Sequence, residues 1–456
     1  MEIRKLTPHQ QEVFETIMQK ITSNIDAVLK SDDMEDHFLS LSGAAGTGKS
    51  FLTIQLIEEL SKRCFQSQGN VCLTAPTNKA VKVLADMMKQ SNVTADCRTI
   101  HSFLNIKPVK NYKNGEETFK ILRTKNRLPK ASLLIIDESS MVSKELLNFI
   151  IEAYNRGQVN TVLFIGDPFQ LLPVDEKESS IFKLRAQYRL TKIIRQAKDS
   201  NIIKLATKVR ERIQKQDFSD LRKLFKGVVL EDIELFDNKE AFLQDFHKNQ
   251  EWQDEDKILT SFTNDDVEIM NKYIRNQYWQ ERAIDNPKHI LAGDCLRFKS
   301  ALESNKKSIS LRPALYQNGD EVKIKTAELI RPKKALISFW ECTVVGRPNS
   351  ESFRVIDPDS LDDLNKYLEN YIYLAKTTTY PYNKQYWKMY FDLKNAFADV
   401  QYIYASTIHK LQGSTFDTIY IDLSRLVNNE RISNDLRYRL AYVAITRARK
   451  NVKILV

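Results

Sequence analysis

The first third of the chain alternates short apolar runs with polar, glycine-containing breaks. Residues 39–42 alternate Leu-Ser-Leu-Ser and run into Gly-Ala-Ala-Gly-Thr-Gly-Lys-Ser (43–50). After these comes FLTIQLIEELSKRC (51–64), apolar at helical spacing. That pattern predicts strand, glycine-rich turn, helix. VCLTAPTNKAVKVL (71–84) predicts another strand and helix. In ASLLIIDESSM (131–141) the run Ser132–Ile136 suits a parallel strand buried on both faces, and TVLFIGDPFQLLPV (161–174) adds a fourth strand.

Residues 286–397 read differently. CLRFK, EVKIKTAELI, ALISFWECTVVG and SFRVID are short β-type pieces set among Gly, Pro and Asn, which predicts a small β-barrel. The stretch that follows, 367–397, is dense in tyrosine and basic residues. Close to the C-terminal residue, YVAITRARK (442–450) ends an apolar run in Arg447, Arg449 and Lys450. Taken alone, three cations there are satisfied by a helix dipole and solvent.

With 456 residues the chain exceeds one ordinary core, so two to four domains are expected. Apolar residues make up 42% and charged residues 28%, a soluble globular balance. No apolar stretch approaches the ~20 residues that span a bilayer. The opening MEIRKLTPHQ has no apolar signal core, so a cytoplasmic setting is expected. Lys and Arg number 69 against 59 Asp and Glu, a net charge of +10, which fits a polyanionic partner such as nucleic acid. The five cysteines form no CxxC and no metal-ligand spacing, so inert thiols are expected.

The segment 43–50 has the G-x4-G-K-S spacing of a P-loop in the required strand–turn–helix context. In such a loop Gly43, Ala44, Gly46, Thr47 and Gly48 curl so that backbone N–H groups face phosphate oxygens. Lys49 reaches the β- and γ-phosphates, and the Ser50 hydroxyl ligates Mg²⁺. Asp137 leaves a buried strand at its C-terminal end, where ligands bind in open α/β sheets, and is the second metal-holding candidate. Glu138 beside it can orient and deprotonate an attacking water. The strand in 161–174 exits at Gly166, Asp167 and Gln170. The Gln170 amide either senses the γ-phosphate or is an ordinary loop residue. Thr77 and Asn78 are helix N-cap residues by default, or hold a nucleic-acid phosphate.

With these segments placed, GAAGTGKS, APTNKA, TIHSFL, LLIIDES, GDPFQLLPV, ASTIHKLQGSTFD and YVAITRARK resemble the ordered motifs of superfamily 1 helicases, from residue 6 to residue 450. Within the superfamily the chain is most similar to the RecD-like group, 1B, and to its Dda-like members. The short length, the opening LTPHQ (6–10), and YQNGDEV (316–322) ahead of STIHKLQG (406–413) carry that likeness.

The resemblance implies an α/β fold of two RecA-like P-loop domains. The first is 1–176, with a β-hairpin pin inserted at 105–130. The second is 177–285 with 398–456, interrupted by an SH3-like β-barrel at 286–397 whose arm projects over about 364–397. ATP and Mg²⁺ sit between the RecA-like domains, and single-stranded DNA crosses them with 5′-to-3′ translocation. Gln10 then matches the adenine-reading glutamine, Arg195 and Arg447 the arginines that reach the γ-phosphate, and Gln412 and Gly413 positions near the nucleotide. Thr77, Asn78, Thr99, His101, Ser102, Thr407 and His409 match strand-contacting positions. Asn78 departs from the Dda-like pattern, which has histidine there.

The pin is expected in NIKPVKNYKNGEETFKILRTKNRLPKA (105–131). Asn114-Gly115 signals a two-residue hairpin turn, and Phe119 is the candidate base-facing aromatic. Otherwise Phe119 packs on its own domain. Tyr386, Trp387 and Tyr390 either stack on bases or form core and domain contacts. The resemblance implies a monomeric DNA helicase acting on single strands and duplex junctions in phage replication or recombination, with proteins of those processes as partners. The alternatives are a P-loop kinase, an ATP-dependent strand clamp that does not unwind, and an enzyme that prefers RNA.

Overall fold

A computed structural model describes residues 5–26, 33–64, 70–122, 128–173, 176, 178–194, 200–218, 220–225, 231–249, 254–302, 315–332, 337–348 and 351–456. The chain forms two compact units. One comprises Met1–Ile106, Ile121–Asn264 and Ser406–Val456; the other comprises Lys107–Lys120 and Asp265–Ala405.

The larger unit contains two parallel sheets. The first is made of β1 (Phe38–Gly43), β2 (Val71–Ala75), β3 (Asp96–Thr99), β6 (Ala131–Ile136), β7 (Val159–Gly166) and β8 (Ala186–Leu190), in the order β3-β2-β6-β7-β1-β8. Every neighbouring pair in it is parallel. Alternate residues on its strands enter different cores, which is why the runs read as continuously apolar. Leu39, Leu41, Leu133, Ile135, Leu163 and Ile165 pack with α1 (Pro8–Asp26) and α2 (Lys49–Cys64), through Ile17, Ile21, Leu52, Leu56 and Leu60. Phe38, Leu134, Ile136, Val162 and Phe164 pack with Phe103, Leu146, Ile150 and Tyr154. Each such fully buried aliphatic side chain contributes roughly 1.5–3 kcal/mol. The parallel arrangement brings the carboxyl ends of β1, β6 and β7 to one edge, and that edge positions the site.

The second sheet uses β9 (Ile233–Phe236), β10 (Lys257–Ser261), β16 (Ala405–Thr407), β17 (Phe416–Asp422) and β18 (Ala448–Leu455), in the order β16-β10-β17-β18-β9. Its core joins Ile258, Ile419, Ile421 and Ile454 to Leu205 and Val209, and to Leu440, Val443 and Ile445 of the helix Asn434–Thr446.

One boundary shifts. The first sheet was expected to finish by residue 176, but β8 pairs in parallel with β1, from Leu39↔Ala186 to Gly43↔Leu190. That pairing satisfies the open edge of β1 and carries the first sheet's territory to Leu190.

The smaller unit holds a five-stranded antiparallel sheet. β11 (Cys295–Phe298), β12 (Glu321–Ile330), β13 (Phe339–Val344), β14 (Phe353–Ile356) and β15 (Val400–Tyr402) lie in the order β14-β13-β12-β11-β15. The four β-type pieces anticipated from the sequence supply four of these strands. The fifth, β15, pairs with β11 and extends the sheet beyond residue 397. Phe298 and Tyr316 stack at 4.4 Å in its core. A buried Arg275–Asp294 pair at 2.8 Å, joined by Trp279 Nε1 at 2.9 Å, ties the preceding helix to this sheet. The unit also contains a helical hairpin, Leu361–Thr377 and Asn383–Lys394, and the two-stranded hairpin β4 (Ile106–Lys110) and β5 (Glu117–Ile121).

The connection between β4 and β5 is longer than the two-residue turn expected. Asn111 N donates to Glu116 O at 2.8 Å, so residues 112–115 form the loop, with Gly115 at φ +77°. Burial pushes the thiols of Cys72 and Cys342 up to about 12, in keeping with inert cysteines. Among the described residues no helix is long and apolar enough to cross a membrane, and no cluster of three or more His, Cys, Asp or Glu has metal-binding geometry.

Candidate active site

β1 ends at Gly43, and the chain curls through residues 44–48 into α2, whose first residues are Lys49 and Ser50. Gly48 sits at φ +83°, and a Cβ there would lie 2.4 Å from the Gln10 amide nitrogen, so conformation and space both require glycine. Gln10 is buried and works as part of the loop. Its Nε2 donates to Thr47 O at 3.1 Å, while its Oε1 accepts from both the N–H and the hydroxyl of Thr7. Thr47 Oγ1 donates back to Ala44 O. Lys49 Nζ bonds the loop's own carbonyls, Gly43 O at 2.6 Å and Ala44 O at 3.2 Å, which places the ammonium inside the cradle. Ile194 N donates to Gly46 O at 3.0 Å. Its neighbour Arg195, anticipated at the γ-phosphate, lies outside the described residues.

Asp137 leaves β6, and its N–H donates to Thr74 O of β2. Burial first, and the neighbouring Glu138 second, push its carboxyl up to about 7, against the pull of Lys49 and Arg447. A cation at this carboxylate would restore its charge, and the half-buried Ser50 hydroxyl engages no partner among the described residues. Together the hydroxyl and carboxylate form an all-oxygen donor set that suits Mg²⁺. Glu138 adopts a left-handed conformation at φ +50°, an uncommon state for a non-glycine residue. Its carboxylate meets Gln170, in the loop after β7, and Arg447, at the end of the helix Asn434–Thr446.

Three groups meet there. Glu138 Oε1 lies 3.6 Å from Arg447 Nη1. With the Gln170 amide set by its neighbours, its nitrogen donates to Glu138 Oε2 at 3.1 Å and its oxygen accepts from Arg447 Nη2 at 3.1 Å. Arg447 is 5% exposed and follows the helix Asn434–Thr446 as its C-cap. The other two cations behave as ordinary surface charges: Arg449 and Lys450 both pair with Asp417, at 2.8 and 2.6 Å. Gly413 faces Ala80 and Glu138, while Gln412 is buried with its Nε2 unpartnered among the described residues.

The helix Asn434–Thr446 contributes two residues that sequence reasoning missed. Tyr442 Oη donates to Asp167 Oδ2 at 2.6 Å and accepts from Ala45 N–H at 3.3 Å, linking the end of β7 to the P-loop. Burial and then Asp167 hold its phenol well above the usual range. Arg439 reaches the carbonyls of Pro168 and Gln170. A signal for Tyr442 existed: a phenol inside a wholly buried apolar run requires a hydrogen-bond partner.

The strand-contact candidates are placed less uniformly. Thr77 and Thr99 each cap a helix, accepting from Ala80 N at 3.2 Å and Ser102 N at 3.1 Å; the cap is the default reading for Thr77 and was not anticipated for Thr99. Asn78 and His101 are half-buried, and burial lowers the His101 pKa. Ser102 is exposed and Thr407 is buried at the end of β16. His409 is exposed, with its ring 6.1 Å from that of Phe262.

In the smaller unit the β4–β5 loop meets the helical hairpin. Asn383 Nδ2 donates to Lys113 O at 3.0 Å, and Tyr112 packs edge-on against Phe391 at 5.8 Å. A Cβ on Gly115 would fall 2.3 Å from the Trp387 ring. Trp387 is 6% exposed and forms a small core with Ala375 and Phe391, with Tyr386 and Tyr390 partly buried against it. Phe119 on β5 is 53% exposed.

Two family models match the chain. An AAA domain covers residues 23–224, and a UvrD-like helicase C-terminal domain covers residues 402–455. The ATP-dependent DNA helicase dda of Enterobacteria phage T4 is 28% identical over 95% of this chain and 97% of its own length. The ATP-dependent DNA helicase Pif1 of Campylobacter jejuni is 23% identical, over 90% and 86%. Among solved structures, Pif1 helicase from Bacteroides in complex with ADP-AlF3 and ssDNA has a TM-score of 0.49 and 18% identity, covering 99% of this chain and 92% of that one.

Proposed function

We propose, from the premise that the chain belongs to the superfamily 1B helicases, that it hydrolyses ATP to travel along single-stranded DNA and part the duplex ahead of it. The observation that carries this reading is the meeting of Glu138, Gln170 and Arg447. A carboxylate on the first sheet, an amide on the β7 loop and an arginine from the second sheet's territory converge within hydrogen-bonding or ion-pair distance.

In this reading the two parallel sheets are the cores of two RecA-like domains. The P-loop amides and Lys49 bind the β- and γ-phosphates, and the second Gln10 amide hydrogen remains to read a purine acceptor. Ser50 and Asp137 would hold Mg²⁺, which would supply positive charge to offset that of the phosphates. Glu138 takes the proton of the attacking water. Arg447 leaves Glu138 to meet charge on the γ-phosphoryl oxygens, an exchange worth about 10³–10⁵ in rate for such arginines. Gln170 bonds both partners, so its amide reports whether that exchange has happened. Gln412 and Gly413 complete the nucleotide side, and Arg195 acts beside Arg447.

Alternating closure of the two domains would then advance Thr77, Asn78, Thr99, His101, Ser102, Thr407 and His409 along one strand, 5′ to 3′. The β4–β5 hairpin acts as the pin, with Phe119 facing the bases, and the five-stranded sheet is the SH3-like domain. Its helical hairpin braces the pin through Trp387. The full-length similarity to a phage helicase supports a role in phage DNA replication or recombination.

One experiment tests activity and polarity together: unwinding of a duplex bearing either a 5′ or a 3′ single-stranded tail. Opening of the 5′-tailed substrate alone, with DNA-stimulated ATPase, is expected. ATPase without strand separation would make the chain a strand clamp, and preference for an RNA tail would change the substrate.

A further inference from the structure

The helix Asn434–Thr446 grips the β7 loop at a point that none of these roles uses. Arg439 Nη1 donates to two main-chain carbonyls, Pro168 O at 2.7 Å and Gln170 O at 2.8 Å. Its Nε pairs with Asp435 Oδ2 at 2.7 Å, and the side chain is only 14% exposed. A guanidinium fixed at three points is a rigid fork, and a lysine ammonium on a flexible stem would not reproduce it. The same helix also holds Asp167 of this loop through Tyr442, and within the loop Phe169 N donates to Asp167 Oδ1 at 3.0 Å and Gln170 N to Asp167 O at 3.1 Å.

Arg439 and Arg447 belong to the same short stretch of chain, about two helical turns and ~12 Å apart. One of the two carbonyls held by Arg439 belongs to Gln170 itself, and the Gln170 side chain lies between Glu138 and Arg447. One helix therefore holds the backbone of the amide residue at one end and presents the arginine to its side chain at the other. We infer that Arg439 is a positioning residue for hydrolysis, locking the β7 loop to the arginine-bearing helix so that Gln170 and Arg447 move as one body. This rests on reading the site as an ATPase. A loop shift of about 1 Å would break both amide bonds of Gln170, and misplacements of that size cost on the order of 10²-fold in rate.

A double-mutant cycle tests the inference, using ATP hydrolysis at saturating single-stranded DNA, with fluorescent-ADP affinity and thermal melting measured alongside. Arg439→Met is expected to lower kcat about 10- to 100-fold, with KM and ADP affinity within about twofold. In a Gln170→Ala background the same change is expected to cost nothing further, because the two act through one another. Arg439→Lys is expected to recover part of the rate. Losses that multiply in the double variant, or a change confined to KM, would overturn the positioning role. Should Arg439→Met not fold, the cycle is run with Arg439→Lys, where a lowered kcat in the native background and none in the Gln170→Ala background is the required result. Failure of the underlying reading would look different, as wild-type protein without DNA-stimulated ATPase.

Discussion

The nucleotide site and the contact between the β4–β5 loop and the helical hairpin both join residues distant in sequence, yet their chemistry is opposite. The nucleotide site is polar, buried and incompletely satisfied. Ser139 Oγ, Ser140 Oγ and Gln412 Nε2 are buried without partners among the described residues, Glu138 has a left-handed backbone, and burial drives Asp137 toward neutrality. The hairpin contact is aromatic and closed, with Trp387 and Phe391 buried and Gly115 tucked under the indole. Unsatisfied polar groups and strained backbone mark a place that awaits a ligand. A filled aromatic contact marks a place that transmits position. Changes at the first should therefore abolish chemistry, and changes at the second should leave chemistry and uncouple it from strand separation.

The hardest test of that contrast is Arg447→Ala. DNA-stimulated ATPase is expected to fall by about 10³-fold or more while nucleotide affinity is largely kept. A near-normal turnover would return Arg447 to the helix-cap role that its position also permits.

Tyr442→Phe removes one hydroxyl from the link between Asp167 and Ala45 N–H. It leaves a buried carboxylate oxygen short of a donor, so a stability loss of roughly 1–3 kcal/mol is expected in thermal or denaturant unfolding, together with slower hydrolysis. An unchanged melting point would show that solvent reaches Asp167.

On the other side of the comparison, Gly115→Ala both strains a left-handed backbone and drives a methyl into the Trp387 ring. Unwinding is expected to drop about tenfold, on the scale of a 1–2 kcal/mol local cost, with DNA-stimulated ATPase within about twofold. Parallel loss of both activities would mean that the contact supports the nucleotide site after all. Phe119→Ala should have the smallest effect, a several-fold loss of strand separation with ATPase retained. That corresponds to about 1 kcal/mol, the low end for one base-stacking contact. Equal loss of both activities would remove Phe119 from the pin.

Legibility in the sequence followed the range of the interactions. The P-loop was readable because glycine spacing, strand alternation and helical periodicity all act within a few residues. Asp137 and Glu138 were readable because a strand buried on both faces announces its own end. Gln170 was readable only as an open choice, and Phe119 likewise, because exposure depends on what does or does not pack nearby. The two-residue Asn-Gly turn was misjudged by the same limit: local preference favoured it, but Asn111 and Glu116 close the loop further out. The boundary at 176 moved because β1's open edge, a tertiary demand, recruits β8.

The sequence by itself determined a glycine-rich turn between strand and helix, the carboxylates at a strand end, a separate β-rich segment and a tyrosine-rich stretch after it, all written in spacings that local backbone chemistry can read. Only the tertiary structure decided which groups Arg447 meets, that Tyr442 bridges a carboxylate 275 residues away, and that Arg439 holds the loop of Gln170. The physical reason is that burial fixes these partners. A side chain takes its partner from the groups that packing leaves beside it once water is excluded, and packing is a property of the whole fold.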